Sequence, residues 1–234
     1  MPVLVGSSGY SYKEWKGSFY PADLPAKSML RFYSERFRTV EINATFRTVP
    51  EPSVVENWAR QVPASFRFAL KAPFQITHQK RLKAAGRTVS TFVKSVSLLG
   101  KRLGPILFQL PPNFKKDVQR LRAFLRLLPA GIRAAFEFRN ESWFDEEVFS
   151  LLRQHHSALC IAETDEFRVP LVATANWGYL RLRRCDYGRA ELKAWAKRVL
   201  AQKWRSAYLY FRHEDEAKAP RFAHVLMECL SACS

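Results

Sequence analysis

Eight short runs of strand-forming residues recur along the chain, most of them followed by a helical pattern or a turn. They are VLVGS (3–7), TVEIN (39–43), FRFALK (66–71), PILFQL (105–110), AAFEFR (134–139), ALCIAE (158–163), GYLRLR (178–183) and AYLYFR (207–212). The intervening helical patterns fall at about 26–37, 52–62, 87–101, 117–128, 144–155, 190–203 and 219–230. The second opens on Pro52-Ser53, and proline suits the first turn of a helix. The stretch 164–177 has no convincing helical period and reads as an irregular loop. Strands separated by helices run parallel. Eight such units suggest an α/β fold closed into a TIM-like (β/α)8 barrel. The alternative is an open doubly wound sheet, which favours a glycine-rich phosphate loop after its first strand. GSSG at 6–9 is a poor version of that loop, and no helix follows it directly. With 234 residues, 47% apolar, and no linker, the chain is expected to be a single domain, 1–234.

Alternation along the strands then assigns a lumen face. Val40 and Ile42, Phe68 and Leu70, Phe108 and Leu110, Phe136 and Phe138, Leu180 and Leu182, and Leu209 and Phe211 face the helices. That leaves Thr39, Glu41, Asn43, Ala69, Lys71, Gln109, Ala135, Glu137, Arg139, Tyr179, Arg181, Arg183, Tyr208, Tyr210 and Arg212 pointing inward. A barrel interior is normally filled by branched apolar side chains, and its active site lies at the carboxyl ends of the strands. Ionisable groups there compensate one another or work on a substrate. The set is unbalanced: Glu41 and Glu137 face Lys71, Arg139, Arg181, Arg183 and Arg212. Planar guanidinium forks suit phosphate or carboxylate.

The formal charge is +17 and uneven. Residues 57–116 hold twelve Lys and Arg and no Asp or Glu, and residues 181–205 hold nine against Asp186 and Glu191. An anionic small molecule or nucleic acid is the partner such asymmetry favours, and a solvated basic surface is the plain alternative. The loop after the first strand carries Tyr10, Tyr12, Trp15, Phe19 and Tyr20. It either covers a ligand, with Tyr10 and Trp15 as stacking residues, or closes one side of the barrel. Cys160, Cys185, Cys229 and Cys233 match no zinc spacing and read as reduced thiols. No apolar run spans a membrane and no secretory leader is seen, so a cytoplasmic protein without membrane contact is expected. A divalent metal through Glu41, Glu137, Glu163, Asp165 or His78 is compatible with the residue types but not signalled by their spacing.

With these residues assembled, the chain resembles the YecE-like family, domain of unknown function family 72. The marks are GSSGYSYKEWKGSFYP (6–21), FRTVEINATFR (37–47), FRFALKAP (66–73), ITHQKRL (76–82), LGPILFQLPPNF (103–114), FEFRNESWF (136–144) and AYLYFRHEDEAKAP (207–220). The resemblance covers nearly the whole chain and implies a TIM-barrel-like fold, but no particular activity. Two departures stand out. Arg183 and Arg184 replace the family's His and Gly after strand seven, and Arg212-His213 replaces its Asn-Asn after strand eight, without the usual downstream Gly. Both make the mouth more basic and count against a role that needs a neutral histidine at position 183.

Three readings follow. The first is an enzyme acting on an anionic, phosphorylated or nucleic-acid substrate, with hydrolysis as a candidate reaction. In it Glu137 is the general acid or base and Glu41 its partner. Arg139, Arg181 and Lys71 hold the anion, while Asn43, Gln109 and Tyr210 position groups by hydrogen bonds. A glycosidase pair ranks below it, because the surrounding arginines are expected to favour the ionised carboxylates over the general acid that chemistry needs. The second is a non-catalytic nucleic-acid binder using the basic surface with Lys80, Arg81 and Lys83. The third is a scaffold whose lumen network is only structural.

Overall fold

The computed structural model describes residues 1–212 and 215–233. Its strands are β1 (Val3–Ser7), β2 (Thr39–Ile42), β3 (Arg67–Lys71), β4 (Leu103–Gln109), β5 (Ala134–Glu137), β6 (Ala158–Glu163), β7 (Trp177–Leu182) and β8 (Ser206–Phe211). The helices are α1 (Met29–Ser34), α2 (Pro52–Gln61), α3 (Gly86–Val96), α4 (Val118–Leu125), α5 (Glu146–Gln154), α6 (Arg189–Leu200) and α7 (Lys218–Cys233). Every strand pairing is parallel, in the order β1-β8-β7-β6-β5-β4-β3-β2. The two ends of that order meet, because Ser8 bridges Glu41 and the Gly9 N–H donates to the Glu41 carbonyl at 2.8 Å. The sheet therefore closes into the TIM-like barrel that the strand count implies.

Local chemistry explains several boundaries. Asp145 caps α5 by accepting the Glu147 N–H at 2.9 Å, and Glu146 and Glu147 occupy the first turn, where the helix dipole favours anions. Asp117 caps α4 through the Arg120 N–H. Pro52 opens α2. The expected irregular loop between β6 and β7 is irregular, so one of the seven connections between successive strands lacks a helix. Side chains replace its hydrogen bonds: the Thr174 hydroxyl accepts from Leu159 N–H at 2.7 Å and donates to the Ser157 carbonyl at 2.8 Å.

The outward side chains pack as alternation requires. Phe108 and Phe136 meet Phe124 of α4 at 5.2 and 6.2 Å between ring centroids, and Phe211 meets Phe222 of α7 at 5.8 Å. Glu163 is the exception in chemistry, not in direction. It faces outward beneath α6, where its carboxylate accepts from Trp195 Nε1 at 3.0 Å, Tyr187 hydroxyl at 3.1 Å and the Arg168 guanidinium. That buried carboxylate ties the loop and α6 to β6 and lies on the opposite side of its strand from the lumen.

At the β1–β2 seam the ladder is incomplete. The Tyr33 ring of α1 enters it; its hydroxyl accepts from Ser7 N–H at 2.8 Å and reaches the Thr39 carbonyl at 3.1 Å. A side chain thus completes the pairing that the two strands do not make themselves.

Candidate active site

In the middle of the barrel the inward residues are small or neutral. Tyr210 hydroxyl and Thr39 Oγ1 are 2.7 Å apart, and Ala69, Ala135 and Cys160 are fully buried beside them. One layer higher the charges begin. Arg181, only 1% exposed, is the centre. Its Nη1 donates to Glu137 Oε2 at 2.6 Å and to Gln109 Oε1 at 3.2 Å, and its Nη2 donates to Glu41 Oε1 at 2.8 Å. Glu137 also accepts from Arg139 Nε at 2.9 Å and Arg183 Nη2 at 3.2 Å. Glu41 also accepts from Ser8 Oγ at 2.7 Å and Tyr179 hydroxyl at 2.6 Å. Arg139 Nη2 reaches Gln109 Oε1 at 3.1 Å.

This arrangement occupies both glutamates with hydrogen bonds. Burial alone would raise the Glu137 pKa. The charges of Arg181, Arg183 and Arg139 more than offset it and hold the carboxyl well below the usual range. Such a group stays ionised and makes a poor general acid or base at neutral pH. Glu41 is 0% exposed with both oxygens occupied, and it lies below the cavity floor. The two carboxylates expected from sequence as a catalytic pair both anchor Arg181. The depressed pKa of Glu137 makes it unsuited to be the protonated member of a glycosidase pair.

Above the network opens a cavity of about 940 Å³. Lys71, Asn43, Gln109, Arg139 and Arg181 line it, with Phe46, Phe74 and His78 along one side. A second cavity of about 650 Å³ lies beyond, floored by Glu137 and flanked by Phe138, Thr164 and Phe167. Arg139, Arg183 and Arg212 line both, so they form the ridge between them. Three buried polar atoms of the cavity residues meet no hydrogen-bond partner among the described residues: Arg181 Nε, Arg183 Nε and Asn43 Oδ1. Leaving a buried polar group unpaired costs about 1–3 kcal/mol.

Lys71 ends β3 with its Nζ 3.8 Å from the centre of the Phe46 ring. Among the described residues no carboxylate lies within ion-pair distance of it. Burial and the Arg181 charge pull its pKa down to about 8. His78 sits on a single π-helical turn, Gln75–Gln79, a distortion frequent at functional sites. Its ring packs 5.0 Å from Phe46 and 5.2 Å from Phe74. Burial and the charges of Lys71, Arg139 and Arg81 lower its pKa, so the imidazole is neutral at pH 7.

Three expected ligand residues do not line the two cavities. Trp15 is 0% exposed and packs on Tyr12, Phe19 and Tyr20, with centroids 4.8–6.1 Å away. Tyr10 is half-buried beside Tyr33 and hydrogen-bonded to Trp58. The aromatic loop thus closes one side of the barrel, and of its rings Tyr12 is the one that lines the cavity. Tyr210 is buried below the charged layer against Thr39. The metal-ligand candidates are also dispersed. Glu163 faces α6, Asp165 accepts from Arg184 and the Cys185 N–H, and no group of three His, Cys, Asp or Glu side chains suited to a metal occurs among the described residues. His213, one of the two family departures after β8, lies outside the described residues. Ser8 and Cys160, whose Sγ is 4.0 Å from Glu137 Oε2, join the lumen without having been singled out in sequence.

The family described as protein of unknown function DUF72 matches residues 4–233. The chain belongs to the DUF72 family. Curated DUF72-like relatives include the UPF0759 protein YecE of Escherichia coli K12, 29% identical with 97% of this chain and 92% of that protein covered. The UPF0759 protein YunF of Bacillus subtilis is also 29% identical, covering 92% of this chain and 80% of YunF. A DUF72 structure from Thermotoga maritima superposes with a TM-score of 0.88 at 27% identity, over 99% of this chain and all of the other. One from Enterococcus faecalis reaches 0.82 at 18% identity over 98% and 95%, a likeness of fold alone. No helix among the described residues is long and apolar enough to cross a membrane.

Proposed function

We propose that this DUF72 protein is an enzyme whose substrate carries a phosphate or carboxylate group, seated on the ridge of Arg139, Arg183 and Arg212 with its two flanks in the two cavities. The observation that carries this reading is the excess of cations at the mouth. Arg47, Lys71, Arg139, Arg181, Arg183 and Arg212 line the cavities, against Glu51, Glu137 and Glu166 on their walls and Glu41 beneath. Glu41 and Glu137 are engaged mainly by Arg181, Arg139 and Arg183, and cations still outnumber carboxylates in a partly desolvated space. There it attracts an anion more strongly than on an open surface. The free Nε–H groups of Arg181 and Arg183 are donors awaiting acceptor oxygens, and Asn43 Oδ1 is an acceptor awaiting a donor. The aromatic flank of Phe46, Phe74 and His78 suits an apolar or planar portion of the substrate.

A thermal-shift titration tests this. Inorganic phosphate, sugar phosphates, dicarboxylates and short DNA and RNA are added to wild type and to Arg139→Ala. A ligand at a hundred times its Kd stabilises by about 2.7 kcal/mol, equivalent to several degrees in a chain of this size. A small anion should raise the melting temperature of wild type and lose most of that effect in Arg139→Ala. A shift produced by polymeric nucleic acid alone, equal in both proteins and erased by salt, would transfer function to the exposed Lys80 and Lys83 surface.

A further inference from the structure

One cation of the mouth has surroundings suited to more than anion binding. Lys71 projects from the end of β3 into the larger cavity, and among the described residues no carboxylate lies within ion-pair distance of it; Arg181, Arg139 and Arg183 are each paired with Glu137. A lysine kept only to bind anions gains from full charge, yet the surroundings of Lys71 act against charge. Phe46 covers one side of its amine at 3.8 Å, and Arg181 and Arg139 stand on the lumen side. Glu137 and Glu41 pull the other way but spend their oxygens on those guanidiniums. From the π-helical turn, His78 faces the same Phe46 ring and adds no negative charge. Desolvation and neighbouring cations are the two means by which a protein makes a lysine nucleophilic.

We propose that Lys71 forms an imine with the carbonyl carbon of a small aldehyde or ketone that also carries a phosphate or carboxylate, the arginine ridge holding that anion. This inference rests on the anion-binding reading and names its substrate class. In the step, the amine lone pair forms the C–N bond while the carbonyl π pair moves to oxygen. The nitrogen gives up a proton and the oxygen gains one, giving a carbinolamine. The oxygen takes a second proton and leaves as water, as the nitrogen pair closes the C=N bond and the nitrogen sheds its other proton. Amine and carbonyl thus become imine and water, with no oxidant or metal consumed. His78, neutral and in the same cavity, is the group placed to carry those protons. An amine pulled down to about 8 is unprotonated in about a quarter of molecules near pH 7.5, whereas an ordinary lysine is unprotonated in only about one in a thousand.

The test uses the intact protein, pyruvate and glyceraldehyde 3-phosphate as probes, cyanoborohydride as the trap, and peptide mass mapping as readout. Propanal serves as the uncharged control. Lys71 should be alkylated about tenfold or more faster than the surface lysines at pH 7.5. That preference should vanish with propanal and fall when inorganic phosphate or Arg139→Ala competes with the anion. Lys71→Arg should keep the melting temperature near wild type and lose the selective adduct. Labelling spread evenly over the lysines, with Lys71 no faster, overturns the inference. If that result accompanies a phosphate-dependent thermal shift, the anion site stands and only the imine is lost. If neither is seen, both readings fall.

Discussion

Glu137→Gln is expected to lower stability by about 3–5 kcal/mol, the usual cost of breaking a buried ion pair from one side. For a chain of 234 residues that corresponds to a melting temperature lower by roughly 6–20 °C. The reason is specific. Glu137 accepts from Arg181, Arg139 and Arg183, and an amide replaces the charge that holds three guanidiniums together. Arg181 would keep Glu41, but Arg139 and Arg183 would lose the carboxylate that anchors them. The pH dependence gives a second readout. The folded pKa of Glu137 is depressed below its ordinary value of 4.5, so the stability it contributes is fully present above that value. It is lost as pH falls from there through the folded pKa. Denaturant unfolding between pH 7 and pH 3 should therefore show a steeper acid limb in wild type than in Glu137→Gln. A variant within about 1 kcal/mol of wild type, with an unchanged acid limb, would mean that the guanidiniums are held by something other than this carboxylate.

The same network shows what a sequence can disclose about such a site. Period-two alternation, anchored by aromatic residues that must face helices, puts Glu41, Lys71, Gln109, Glu137, Arg139 and Arg181 in one lumen. The structure brings these groups together at its upper end. Alternation gives direction but not depth or partners. Glu41 and Glu137 were therefore legible as inward carboxylates, while their saturation by Arg181, Tyr179 and Ser8 was not. Ser8 escaped notice because β1 is built of small and apolar residues whose two faces look alike. Cys160 and Ala162 escaped because β6 is buried on both faces. Glu163 escaped for the same reason: the period that turns Cys160 inward turns Glu163 outward, away from any lumen metal, but the strand does not mark which face is which. The aromatic loop after β1 has no period, and composition alone does not separate rings that pack from rings that bind. Trp15 and Tyr10 went to packing because Phe19, Tyr20 and α1 supply an apolar surface for them.

Gly6→Ala should be the most disruptive single methyl addition at the barrel's closing seam. A Cβ there would stand 2.2 Å from the Thr39 carbonyl oxygen and 2.9 Å from the Tyr33 hydroxyl. The first is backbone in the neighbouring strand and has no rotamer by which to yield. Either β1 and β2 separate or the methyl is strained, and overpacking of this kind costs about 3 kcal/mol or more where the contact is backbone. Tyr33→Phe attacks the same seam from the other side. It leaves the Ser7 N–H and the Thr39 carbonyl buried without their hydroxyl partner, at about 1–3 kcal/mol. The two changes should not add. In Gly6→Ala the hydroxyl is already pushed from its site, so its later removal costs less. A double-mutant cycle by urea unfolding should give a coupling of about 0.5–3 kcal/mol, with the double variant less destabilised than the sum. Strict additivity would mean that the hydroxyl does not hold the seam and that the bridge between Ser8 and Glu41 closes the barrel unaided. The position of Glu41, and through it of Arg181, would then depend on strand pairing alone. Coupling would instead tie the cationic mouth to one tyrosine of α1.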